Sequence, residues 1–306
     1  MQSSFIGSLM ELSAEHEEIV YLTADSGEGG LDLMYQRNFP SRCYNFGIAE
    51  ENMVAAAAGM ALCGKVPFVY TAAPFLVYRA FEFIRDDLCL QNVPVKLVGS
   101  GSGISLSSLG PTHHTTEDIA VLRSLPNLTI LCPATPKQAY ECVRYAYKTS
   151  GPVYVRLGMN KEHEYFDDDY MLPKEGIDFL REGDDAAILT MGLLLNEVMD
   201  AAELLSEEGI EVAVASVVSI KPFDSWMFLE FANKTPHIFV IEEHNIIGGL
   251  GSIVSDELIA AGKSMMMTKL GLKDTFTKGY GTLDNVRQEN GLDTESIVNC
   301  IREELS

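Results

Sequence analysis

The sequence predicts an α/β protein made of two doubly wound domains, the first with a mainly parallel sheet and the second smaller. Three observations carry this. Short apolar runs alternate with segments of helix length, the order that a parallel sheet covered on both faces requires. A chain of 306 residues has room for two domains of about 150 residues each. Between Lys161 and Asp185 the composition turns acidic and poor in apolar residues, which marks a linker. The expected division is a first domain at 1–160, an acidic linker at 161–185 and a second domain at 186–306.

Taken in order, Phe5, Leu9 and Leu12 recur at helical spacing within residues 1–18. A buried strand is expected at 19–23, then a glycine-rich loop after Asp25 and Ser26. A strand over 43–46 feeds Gly47 and the alanine-rich run 54–61, which reads as a helix packed on all sides. Strands then fall at 66–70, 93–99, 128–132 and 153–156, with helices at 79–91, 117–125 and 136–149. Past the acidic run the pattern restarts with strands at 186–190, 212–216 and 238–241 and a helix at 194–208. Gly248-Gly249-Leu250-Gly251-Ser252 opens another helix. Without the spacing of a dinucleotide-binding loop, that cluster reads as a tight turn with close backbone packing rather than a phosphate cradle.

Composition narrows the function. A net charge of −22 argues against nucleic acid and anionic membrane as partners. No apolar stretch approaches the ~20 residues of a membrane span, and residues 1–4 lack the basic start of a signal peptide. Six cysteines show no close paired spacing, and Cys63, Cys89 and Cys132 sit in apolar runs. They read as reduced core residues of a cytoplasmic protein. In so acidic a chain, any anionic ligand must be met by a few local cations.

The stretch Gly47-Ile48-Ala49-Glu50-Glu51-Asn52-Met53 organises the rest. Acidic residues in a first helical turn complement the helix dipole, and that alone accounts for Glu50 and Glu51. A carboxylate leading into a nearly uncharged, close-packing helix is also liable to burial, which is costly unless it gains a partner or keeps its proton. The motif resembles the "GIAEQ(N/H)" signature of the transketolase and 1-deoxyxylulose-5-phosphate synthase families of thiamine diphosphate enzymes. Matched residue by residue, Glu50 is the acid that shares a proton with the cofactor's aminopyrimidine, Ile48 lies beside it, and Glu51 stands where Gln is usual. The first domain is then the pyrimidine-binding domain. "EEH" at 242–244 and "GGLGS" at 248–252 resemble the transketolase C-terminal domain, which serves dimerisation more than chemistry.

Two further motifs follow in the same order. Aromatics at the end of a strand are most often core. Phe75, in Phe75-Leu76-Val77-Tyr78-Arg79-Ala80, nevertheless matches the family aromatic that stacks on the aminopyrimidine, with Tyr78 and Tyr70 as weaker candidates. Gly110-Pro111-Thr112-His113-His114 resembles the transketolase "GPTH(Q)" loop, and His113 is then the residue that meets the sugar. By itself such a loop histidine is as readily a surface residue. Leu109, where the families carry Asp, and the stretch 99–103, without their His or Arg, alter the usual sugar recognition. Arg156 matches a family arginine that binds a substrate phosphate; pairing with a local carboxylate is the alternative.

The resemblance covers the second half of a full-length transketolase, and the Gly-Asp-Gly…Asn signature that grips magnesium diphosphate does not occur. It implies the β-type subunit of a split transketolase, moving a two-carbon ketol unit between sugars or sugar phosphates. Thiamine diphosphate and magnesium would be shared with an α-type subunit in a heterotetramer built on a dimer of this chain. The rival readings are the β subunit of a 2-oxo acid dehydrogenase decarboxylase, an enzyme like 1-deoxyxylulose-5-phosphate synthase, and a non-catalytic dimeric scaffold.

Overall fold

The computed structural model describes residues 1–26, 30–159, 162–277 and 280–306. Residues 27–29 of the glycine-rich loop and Lys161, where the acidic run begins, lie outside them. The first domain runs α1 (Gln2–Glu15), β1 (Ile19–Thr23), α2 (Leu31–Asn38), β2 (Cys43–Asn45), α3 (Glu50–Leu62) and β3 (Val66–Ala72). A wide-turned stretch follows, with π-turns at Phe75–Arg79 and Ile84–Leu90 around the short α4 (Phe81–Phe83). Next come β4 (Lys96–Ser100), α5 (Asp118–Leu122), β5 (Thr129–Leu131), α6 (Pro136–Lys148) and β6 (Val153–Leu157). The second domain comprises β7 (Ile177–Arg181), β8 (Ala186–Thr190), α7 (Leu195–Glu207), β9 (Val212–Val217), β10 (Ser219–Lys221) and α8 (Ser225–Ala232). It ends with β11 (His237–Asn245), α9 (Leu250–Ala260), β12 (Met266–Leu272), α10 (Leu283–Glu289) and α11 (Thr294–Leu305).

Two twisted sheets carry the molecule. The seven-stranded sheet has the order β10-β5-β6-β4-β3-β1-β2 and is parallel except for β10. The five-stranded sheet, β12-β11-β8-β9-β7, is parallel except for β7. Strands β1, β4 and β6 are buried along their whole length, as both-face coverage demands. Their apolar side chains pack against α1 and α6 on one face and α3 and the wide-turned stretch on the other.

The structure departs from the sequence reading in places with physical causes. Ile177–Arg181, inside the expected linker, is an edge strand antiparallel to β9; with Asp178 and Arg181 half-buried, it carries too little apolar surface to announce itself. Strand β10 leaves the second domain and closes the first sheet beside β5. Helix α3 is covered on one face only: Met53, Val54, Ala57, Ala58 and Ala61 are buried, whereas Leu62 is 65% exposed. Cys63, expected in the core, caps that helix and is exposed. The 248–252 cluster, by contrast, is the close-packed turn expected, since Glu242 accepts the N–H groups of Leu250 (2.7 Å) and Gly251 (2.9 Å) and fills the N-terminus of α9.

Candidate active site

The acid-led helix begins where a strand stops. β2 ends at Asn45, Gly47 turns the chain at φ +67°, and Ala49 caps α3, so Glu50 is its first helical residue. Glu50 is 1% exposed. A carboxylate so buried needs a counter-charge, and Arg79 supplies it, donating from Nη1 to Oε2 at 2.5 Å. That arginine closes the π-turn, a helical irregularity common at functional sites because the extra residue redirects a side chain. Its guanidinium lies 4.9 Å above the Phe75 ring, the cation facing the ring's negative face. The His113 ring meets Phe75 edge-on at 5.1 Å and 77°.

Glu50, Arg79, Phe75 and His113 thus form one contact chain from three separate segments. It lies beyond the carboxyl ends of β2, β3 and β4, where doubly wound sheets bind ligands. Three of the four are named by the sequence motifs. Arg79 lies within the quoted aromatic motif but carries no role there, although a buried acid in an acidic protein calls for a cation.

The His113 loop is held by short contacts. His113 N–H donates to Gly110 O (2.9 Å), and its Nδ1 lies 3.0 Å from Thr112 Oγ1, with the residue half-buried. His114 turns inward instead, 5% exposed, with Nδ1 2.7 Å from Thr277 Oγ1 in the second domain. Burial lowers its pKa, against the pull of Glu243. A cavity of about 210 Å³ opens between this loop and the second domain, lined by Tyr78, Thr112, His114, Glu117, Phe276 and Thr277.

Other candidates sit differently from the sequence reading. Arg156, expected to anchor an anionic substrate end, is 3% exposed and holds protein acceptors instead. Its Nε donates to Asp118 Oδ2 (2.8 Å), and its Nη2 to Thr115 O (3.0 Å) and Glu243 O (3.2 Å). It lies near the end of β6, a strand in the middle of the sheet, with the Glu243 carbonyl of the second domain against its guanidinium. The Tyr78 hydroxyl is committed to Glu117, donating to Oε2 (2.7 Å) and accepting from its N–H (3.0 Å); burial, then the charge of Asp118, holds it well above the usual phenol range. Tyr70 is core, stacked 5.4 Å from Phe5. Ile48 stands 77% exposed on the turn before Glu50.

A parallel sheet with a buried acid at its carboxyl end, followed by a second α/β domain, matches the paired pyrimidine-binding and C-terminal domains of transketolase. The chain belongs to the transketolase family: the pyrimidine-binding domain of transketolase matches residues 3–161, and the transketolase C-terminal domain matches 176–297. It is 38% identical to one of the subunits of the apulose-4-phosphate transketolase of Actinobacillus succinogenes, covering 92% of this chain and 90% of that one. It is 31% identical to the 6-deoxy-6-sulfo-D-fructose transketolase subunit SqwH of Clostridium sp. strain MSTE9, over 99% and 94% of the two chains. A solved split-gene transketolase, described as an inactive β4 tetramer, superposes with a TM-score of 0.90 at 34% identity, over 99% of this chain and 97% of that one. The chain is therefore of the split-subunit type, and its homologues are transketolase-type transferases.

Proposed function

We propose that this chain is the β-type subunit of a two-component transketolase that transfers a two-carbon ketol unit from a ketose or ketose phosphate to an aldose. The observation that carries the reading is Glu50, buried at the start of α3, paired with Arg79 and linked through it to Phe75 and His113. These residues fit one end of thiamine diphosphate. A carboxyl oxygen of Glu50 holds the proton at the aminopyrimidine nitrogen, and Phe75 offers its ring to the heterocycle. When bound, the cofactor supplies the nucleophilic carbon for C–C bond cleavage and formation. His113 donates to the developing alkoxide of the sugar and takes the proton back.

The diphosphate end fits another chain. Among the described residues no group of three or more His, Cys, Asp or Glu is placed to hold a metal ion, and the sequence lacks the diphosphate signature. Magnesium and the diphosphate are accordingly held by an α-type partner, in a heterotetramer built on two copies of this chain. Ile48, at 77% exposure, and Leu62, at 65%, are apolar surface at the two ends of the Glu50 helix that such a partner covers. None of the described helices is long and apolar enough to cross a membrane, which agrees with a cytoplasmic complex. The relatives' names point to sugar phosphates or sulfo-sugars as substrates.

Reconstitution tests the reading. Mixed with the chain that carries Gly-Asp-Gly…Asn, magnesium and thiamine diphosphate, this subunit should transfer a ketol unit from a ketose donor to an aldose and leave 2-oxo acids untouched. Decarboxylation of a 2-oxo acid without ketol transfer would replace the proposal with the dehydrogenase reading.

A further inference from the structure

Arg156 is released from the role its position in the sequence suggested, and its contacts point to another. The loop that carries His113 has little regular structure and needs outside support to hold a half-buried imidazole in place. That support is concentrated at Thr115, two residues on. Its N–H donates to Gly103 O (2.8 Å), and its carbonyl accepts from Gly103 N (3.2 Å) and from Arg156 Nη2 (3.0 Å). The next carbonyl, Thr116 O, accepts the N–H of Asn245 from the end of β11 (2.8 Å).

One guanidinium therefore ties together three elements: the loop, α5 through Asp118, and the second domain through Glu243 O. Asp118 is fully buried and its Oδ2 also accepts from Tyr154 (2.8 Å), which fixes the carboxylate that fixes the arginine. On the far side the Glu243 carboxylate accepts from Ile104 N (3.2 Å) and Arg287 Nε (2.8 Å), clamping the other strand of the same loop. A lysine reaches one of these acceptors but cannot span all three, because the fork geometry belongs to Arg.

We propose that Arg156, oriented by Asp118, is a positioning residue that sets the height of His113, and that through it the second domain takes part in catalysis as well as assembly. The proposal rests on the reading of His113 as the group that meets the sugar. The arginine acts only through the loop backbone. Misplacement of the imidazole by an ångström is enough to cost up to about 100-fold in rate.

A double-mutant cycle on the reconstituted, cofactor-loaded enzyme decides it, with rates expressed per cofactor-loaded site. Arg156→Lys should lower kcat about 10- to 100-fold. KM for both sugars should stay within about twofold. In a His113→Ala background the same change should cost less than about twofold, since the residue it positions is gone. Equal losses in both backgrounds overturn the positioning role. A raised KM for a phosphorylated sugar alone, with kcat intact, overturns it in favour of anion binding. Should Arg156→Lys fail to load cofactor, Asp118→Asn, nearly isosteric, answers through the same cycle. Wild-type rates in His113→Ala would overturn the role of His113 itself, a result separable from equal losses.

Discussion

Two arginine–carboxylate pairs sit on either side of the His113 loop, and they behave as opposites. In Glu50–Arg79 the acid is 2% exposed but the arginine is 38% exposed, with a single donor contact to the carboxylate and its other face toward Phe75. In Asp118–Arg156 the two are 0% and 3% exposed, and the guanidinium also binds two carbonyls. A half-open pair leaves the acid a partner that can be exchanged for a ligand. The closed pair has no room for exchange and serves as structure. Chemical identity of the residues does not separate the two roles; access to solvent does.

Substitutions sharpen the contrast, and the largest effect belongs to the open pair's acid. Glu50→Gln should lower ketol transfer by the reconstituted enzyme about 100- to 10,000-fold, the worth of a lost proton relay. Urea unfolding of the variant should remain close to wild type, so that the loss reads as chemistry. An active Glu50→Gln enzyme would put Glu50 back among ordinary helix-start acids.

Breaking the closed pair is next in size, and its readout is stability. Arg156→Met leaves Asp118 charged and buried without compensation, and should cost about 3–5 kcal/mol by urea denaturation. Arg79→Met also leaves a buried carboxylate, Glu50, without its counter-charge, but water can enter where the 38%-exposed arginine stood, so it should cost less, about 1–3 kcal/mol, in the same measurement. The reverse ranking would erase the distinction drawn here.

The smallest effect is a pH dependence. Burial holds His114 below its ordinary value of 6.5, so on acidification the unfolded chain takes up this proton before the folded one does. In that window the unfolded state binds more protons, and stability rises with pH; read downward, stability falls once pH drops below 6.5 toward the lowered folded value. His114→Gln removes one such proton, so its unfolding free energy should fall less steeply than wild type below that pH. Parallel curves for the two proteins would show that His114 titrates as it does in the unfolded chain.

Much of this was legible in the residues. The alternation of short apolar runs with helices gave the strands of the first sheet because both faces are buried and each strand reads as a continuous apolar block. Gly47 followed by an acid and an alanine run marked α3, and Pro111-Thr112-His113 marked the loop, because each motif is local. What escaped was decided at a distance. Arg156 reads as a strand-end cation, and only the fold places Thr115 and Glu243 around it. Arg79 gains meaning only when the π-turn brings it over Glu50, 29 positions earlier. β7 and β10 are short edge strands that borrow their order from partners elsewhere in the chain, so neither carries a pattern of its own.

The most direct measurement is calorimetric titration of thiamine diphosphate with magnesium into this chain, into its partner, and into their mixture. The account predicts saturable binding in the mixture at one cofactor per copy of this chain, with none to this chain alone. Equal binding by this chain alone, accompanied by ketol transfer, would contradict the shared site.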